Sequence, residues 1–289
     1  MKWIPYLIIF FLYSCANVAN RLPATTIIDK HIVFDIDWSI VSEIKKPTPY
    51  IIKNPRVIKV YETYYFINEG LEEFIEDILS HPEIKVSFYS GGNSIRNNEL
   101  LSKIKLKNGR SLSQIAYKVL SREDLVSVEA VSGAPFAERF KKDLTKISKN
   151  LEQLIMFDDN AKFTIENGED QSRHVFFIGK AFEYFDKFKD AKNLSGEYIP
   201  KNYDEWLLDR KKLNILHAVF NESYDESVES DISLSEAMKK REELLNLKDH
   251  EWNSQISQYY RKYKKKDIQH GSSSSSLNCH EIAKILIGL

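Results

Sequence analysis

Val33-Phe34-Asp35-Ile36-Asp37-Trp38-Ser39 decides how this chain is read. His31–Ile36 is a short, apolar, β-branched run of the kind that forms a strand buried on both faces. Two aspartates stand where it runs out. Aspartate is depleted in strands, and two neighbouring carboxylates repel unless a cation neutralises them. In open α/β sheets, ligands bind just beyond the carboxyl ends of the strands. Asp35 and Asp37 therefore fall where a parallel sheet would present chemistry.

Other runs repeat the pattern. Ile84–Tyr89 is a second predicted strand and ends in Ser90-Gly91-Gly92-Asn93, a hydroxyl followed by glycines whose amides can cradle an anion. Gln153–Phe157 is a third and ends in Asp158-Asp159-Asn160; His174–Ile178 is a fourth. Helices are predicted at Glu69–Leu79, Ser94–Lys103, Ser111–Leu120 and Ala137–Leu151. Strands alternating with helices give an α/β fold with a mostly parallel sheet. Tyr50–Ile67, dense in Ile, Val and Tyr and broken by Pro55, reads as an inserted hairpin or small meander.

The three strand ends together supply four carboxylates and a hydroxyl. Such a set suits a hard divalent cation, Mg²⁺ above all, which takes oxygen ligands and shares its shell with phosphate. A carboxylate can attack phosphorus to give an aspartyl-phosphate, and a second can protonate the leaving oxygen and then deprotonate water. Each fragment alone is commonplace as a turn, loop or cap; their order at successive strand ends is what carries the reading.

With these motifs the sequence resembles the haloacid dehalogenase (HAD) superfamily of phosphotransferases. Asp35-Ile-Asp37-Trp-Ser39 matches its first motif, Ser90 the second and Asp158-Asp159 the fourth. Lys142-Asp143-Leu144, leading into Asn150–Asp159, is similar to the corresponding block of the FCP/SCP-type group, also called NLI-interacting-factor-like phosphatases. The resemblance implies a HAD-like Rossmannoid core at 25–198 with a β insertion at about 43–67. It implies Asp35 as nucleophile, Asp37 as general acid/base, and Ser90, Gly91 and Lys142 as phosphate-binding, with Asn93 a weaker candidate and Lys141 a competitor for the lysine. It places Mg²⁺ on Asp35, Asp37 (through its carbonyl), Asp158 and Asp159. The lysine of the third motif is expected on a helix. Trp38 departs from the small or polar residue usual at its place and narrows the mouth, and Asn68-Glu69 stands where Arg-Pro is usual.

The ends of the chain read differently. Residues 1–20, with Lys2 before an apolar run from Trp3 to Leu12, look like a secretory signal peptide, too short to cross a hydrocarbon core of roughly 30 Å. An exported chain in the bacterial periplasm or cell envelope is expected; Leu12–Cys15 also resembles a lipobox, which would anchor it to the membrane through Cys15, the alternatives being plain cleavage after Ala16 or Ala19 or a retained N-terminal anchor. Residues 199–270 form a helical extension with a turn at Asp225–Asp231 and a basic run at Arg261–Lys266. The segment 271–289 is a Ser-rich linker and short apolar helix. The aromatics of Phe182–Phe188 fall at helical spacing and are assigned to the core. His31, His81 and His174 are read as structural.

Composition excludes other classes. With 41 basic and 42 acidic residues the chain has no global field for nucleic acid, and no nucleic-acid partner is expected. Two cysteines cannot build a disulfide scaffold or thiolate zinc site. The expected partner is a phosphorylated substrate. The rival readings are an exported class B/C-type acid phosphatase for nucleotides and other small phosphomonoesters, and a non-catalytic binding lipoprotein on a HAD scaffold. A cap closing the pocket would distinguish the small-molecule enzyme from one acting on proteins.

Overall fold

The computed structural model describes residues 29–244 apart from 167–169. The segment 1–20 with Cys15, the basic run Arg261–Lys266 and the segment 271–289 lie outside the described residues. In chain order the main elements are β1 (Lys30–Phe34), β2 (Val41–Ile44), α1 (Pro49–Ile52), β3 (Val57–Val60), β4 (Thr63–Ile67), α2 (Leu71–Ile78), β5 (Ile84–Tyr89) and α3 (Ser94–Lys103). There follow α4 (Leu112–Ile115), β6 (Lys118–Leu120), β7 (Val126–Ser127), α5 (Phe136–Arg139), β8 (Phe140–Lys141), β9 (Leu154–Asp158), β10 (Val175–Phe177), α6 (Phe188–Ala191), α7 (Tyr203–Glu229) and α8 (Leu234–Leu244).

The central sheet runs β10-β9-β1-β5-β6, and every pairing in it is parallel. Phe34 lies opposite both Phe88 and Phe157, so the residues after β1, β5 and β9 leave the sheet side by side. The chain adds β5 and β6 on one side of β1 and β9 and β10 on the other. The topological switch therefore falls between β1 and β9, where such sheets open a crevice. Asp35 and Asp158 stand at its two lips.

Alternation along β1 and β9 divides the core. Ile32, Phe34, Ile155 and Phe157 point to the face covered by α2, α3 and α7, where the rings of Phe34, Phe74, Phe88, Phe157 and Phe220 form a chain of contacts. Val33, Tyr89, Leu154 and Met156 face the other way, onto Leu144, Ile147 and Leu151. Gly70 caps α2 in the left-handed region (φ 87°); a Cβ there would come within 2.7 Å of the Asn214 side chain on α7. Glycine suits both demands. A separate antiparallel sheet, β2-β4-β3, follows the first strand.

Several expected elements take another form. Ala137–Leu151 is not one helix: α5 ends at Arg139, and the backbone of Lys142 bonds to Phe163 and Ile165, which removes the donors and acceptors a helix would need. The lysine is thus carried by an extended segment. Ser111–Leu120 splits into the short α4, closed by a Ser111–Gln114 capping box, and the edge strand β6. The Asp225–Asp231 turn comes later, because α7 continues to Glu229 while Glu226 is neutralised by Lys240 and Arg241 of α8. Phe182 and Tyr184 are buried as assigned, but on an irregular segment. His174 bonds Ser235 and His81 packs on Tyr224, whereas His31 is buried with Nδ1 unpartnered.

The described part of the helical extension, residues 199–244, packs against the sheet. Leu213, Leu216 and Phe220 of α7 are buried in the main core, and His217 stacks on Phe74 while Nε2 lies 2.7 Å from Asp77 Oδ2. Because Phe34 is wholly enclosed by Phe74, Phe88 and Phe157, Phe34→Ala should cost about 3–5 kcal/mol in urea unfolding. A loss below ~1 kcal/mol would mean that this aromatic chain does not hold the sheet.

Candidate active site

Three strand ends and one lysine converge. Asp35 follows β1 directly, is 5% exposed, and is fixed by its amide on the carbonyl of Phe157 at 2.9 Å. Asp158 closes β9, and its carbonyl accepts the Ile178 amide at 3.0 Å. Lys142 lies between them, fully buried, with Nζ 2.6 Å from Asp35 Oδ1 and 2.7 Å from Asp158 Oδ2. Asp159 adds a third carboxylate; it, Asp35 and Asp158 each offer an oxygen within 4.8 Å of the others.

Asp37 stands apart from this trio. Ser90 Oγ donates to Asp37 Oδ2 at 2.9 Å, and Gly92 N–H donates to Ser90 Oγ at 3.0 Å. Arg96 takes Asp37 as a fork, Nη1 to Oδ1 at 2.9 Å and Nη2 to Oδ2 at 2.5 Å. A Cβ on Gly92 would sit 2.0 Å from Arg96 Nη2, so the second glycine leaves room for the guanidinium. Asn93 is the N-cap of α3, its Oδ1 accepting from Arg96 N at 2.9 Å, which is a structural role. Lys141 turns to the Lys162 carbonyl and Glu166, so Lys142 is the lysine in the site.

The open part is a cleft of about 420 Å³ lined by Asp35, Asp37, Gly91, Gly92, Asp158 and Asp159, with Arg96, Arg122, Trp38 and Phe136 in its walls. Trp38 stands in the cleft wall, and its ring stacks on Tyr198 with centroids 5.7 Å apart and planes at 10°. No residue of α7 or α8 lines the cleft.

The charge balance is uneven. Burial, opposed by Lys142 and reinforced by Asp158 and Asp37, pushes Asp35 up to about 7. Burial, then Asp158 and Asp35, drives Asp159 well above the usual carboxylate range, against Lys212 and Lys142. Burial disfavours the Lys142 cation, yet Asp158 and Asp35 outweigh it and hold its pKa above the ordinary lysine value. Three clustered carboxylates with one shared ammonium fit a divalent cation bound through oxygen. The sequence reading did not include Arg96, Arg122 or Lys212. Arg96 lies six residues beyond Ser90, on the first turns of α3, so the helix that begins at the anion cradle was the signal available for it.

A central parallel sheet with acids, a hydroxyl and a lysine gathered at its switch point is the arrangement of a HAD-like fold. The family model for NLI interacting factor-like phosphatase matches residues 30–191, more than half of the chain, and the chain belongs to that family of HAD-type phosphatases. Among solved structures it is similar to Fcp1, an essential RNA polymerase II CTD phosphatase (16% identity, TM-score 0.41, 78% of this chain and 73% of that one). It is also similar to a fission yeast Fcp1 variant bound to beryllium fluoride (15% identity, TM-score 0.37, 94% and 72%). No curated protein matches the chain.

The raised Asp35 has a measurable sign. Between the ordinary value of 3.8 and about 7, the native carboxyl keeps a proton that the unfolded chain has released. Its contribution to stability is therefore whole at low pH and lost as pH rises through that window. Urea unfolding in EDTA should show Asp35→Asn gaining on the wild type between about pH 4.5 and about pH 7.5. A parallel pH dependence of the two would show that Asp35 is not the group that titrates.

Proposed function

We propose that the protein hydrolyses a phosphomonoester in two steps through an aspartyl-phosphate on Asp35, with Mg²⁺ as cofactor. The observation that carries this is the Lys142 bridge, which fixes one oxygen of a buried aspartate and leaves the other nearly free. Oδ1 of Asp35 is held by Lys142, while Oδ2 carries only a long 3.4 Å contact from Ser39 Oγ. Oδ2 is the atom assigned to attack.

In the first step Asp35 Oδ2 bonds to phosphorus and the ester P–O bond breaks, the leaving oxygen taking a proton from Asp37. In the second, Asp37 takes a proton from water, the water oxygen bonds to phosphorus, and the P–O bond to Asp35 breaks to give inorganic phosphate. Lys142, the Ser90 hydroxyl and the Gly91 amide bind phosphoryl oxygens, and Ser90 and Arg96 must exchange Asp37 for the incoming anion before Asp37 can work as an acid. Asp35, Asp158, Asp159 and the Asp37 carbonyl would hold Mg²⁺. When bound, the ion neutralises phosphoryl charge and lowers the repulsion between the attacking carboxylate and its target.

Two features favour a phosphoprotein over a small ester: the cleft is bordered by the β2-β4-β3 insertion through Glu43, and among the described residues none of the helical extension lines it. The test is hydrolysis of an aryl phosphate and of a phosphopeptide panel by the full chain, with Mg²⁺ and with EDTA. Asp35→Asn should lose roughly a thousandfold or more, and EDTA should silence the wild type reversibly. Turnover that survives both would sink the mechanism. The export reading rests on residues 1–20 alone: incorporation of a labelled fatty acid that Cys15→Ser abolishes is its expected result, and an unlabelled wild type would reject lipidation.

A further inference from the structure

We propose that Lys212, on α7 and beyond the segment 30–191 matched by the family, is a positioning residue that locks the Asp35–Ser39 turn in its working shape. The proposal rests on the phosphatase reading above. Lys212 is 2% exposed, and a lysine so buried needs a specific partner for its charge. It has two: Asp209 Oδ1 at 2.8 Å, one turn back on α7, and the carbonyl oxygen of Trp38, in the middle of the catalytic turn.

Trp38 is where that turn is costly. Its φ of 62° lies in the left-handed region, which bulky non-glycine residues rarely enter. Such a conformation persists only when the surroundings impose it. The turn closes through amides of Ile40 and Val41 on the Ile36 carbonyl, at 3.1 and 3.2 Å. Those bonds leave the Trp38 carbonyl without a partner inside the turn, and Lys212 takes it. The peptide so fixed joins Trp38 to Ser39, one residue past Asp37, and Ser39 in turn reaches Asp35.

Docking of α7 does not account for the residue. Leu213, Leu216 and Phe220 already bury the helix against the sheet, and the His217–Asp77 contact ties it to α2. At a purely packed position an apolar side chain of the same length would avoid the desolvation that a buried ion pair carries. Asp209, its side chain 9% exposed, offsets the ammonium where it leaves the helix, so the pair reads as one device aimed at a carbonyl.

The test uses the full chain carrying Lys212→Met together with Asp209→Asn, so that no orphan carboxylate is left inside. Kinetics on an aryl phosphate should show kcat lower by on the order of 10- to 100-fold with KM little changed, as misplacement of a reacting group does. Hydrogen exchange should speed up about tenfold at residues 39–41 while α2 and β9 keep their protection. Adding Trp38→Gly should recover part of the lost kcat, because glycine adopts the left-handed turn unaided. Unchanged kcat with unchanged exchange at 39–41 overturns the proposal, and so does loss of protection throughout the sheet, which would make Lys212 a packing residue. If wild type is inert on every phosphoester, the phosphatase reading fails, and the exchange at 39–41 still decides whether the lock exists.

Discussion

A single buried ammonium sets the terms for this molecule. Lys142 sits between Asp35 and Asp158 and joins the ends of β1 and β9 across the switch point of the sheet. Charges of this kind are tolerated inside a protein only when their partners are close and well aligned. The pairing constrains more than the two carboxylates. It requires the chain before Lys142 to abandon a helix, because the lysine reaches the site from an extended segment bonded to Phe163 and Ile165. Asp159 joins Asp35 and Asp158 beside the bridge, and three carboxylates so close together are a set that fits a divalent cation.

Around that bridge the site divides into two halves with different chemistry. The β1/β9 half is carboxylate-rich, and burial raises the proton affinities of Asp35 and Asp159. The β5 half is built from Ser90, two glycines and Arg96, and it holds Asp37 by a guanidinium fork rather than by the lysine. Placing the two aspartates of one short turn in separate electrostatic settings is the usual way to give them separate roles. The turn can do so because Ile36, between them, is anchored in the core and points away from both.

Much of this was legible in the sequence because strand ends are local signals. An apolar run that stops at Asp35, Ser90 or Asp158 marks both the strand and the position of the side chain beyond it. Glu69–Leu79 and Ser94–Lys103 likewise carried their helical pattern and caps within themselves. What the sequence did not disclose depends on distant partners. Residues 137–151 have helix-like spacing, and only the pairing of Lys142 with residues 163–165 overrides it. Lys118–Leu120 become a strand because β5 offers an edge. Lys212 lies 177 residues from Asp35 in a segment that reads as amphipathic helix, and its bond to the Trp38 carbonyl follows from the docking of α7. Arg96 was nearer at hand, on the helix that starts at the anion cradle, yet its fork depends on Gly92 being bare.

The recognisable phosphatase segment and the cooperative folding unit do not coincide. The family match stops at residue 191, but Phe220 of α7 completes the aromatic chain that begins at Phe34, and α8 lies along β9 and β10. A domain cut at the family boundary would present Phe74, Ile75 and Ile78 to water on one broad face. Selection on residues 203–244 is then selection on the solubility of the catalytic half as much as on any contact those helices make themselves. Drift in the extension would be felt first as loss of folded enzyme, with the acids at the cleft unchanged.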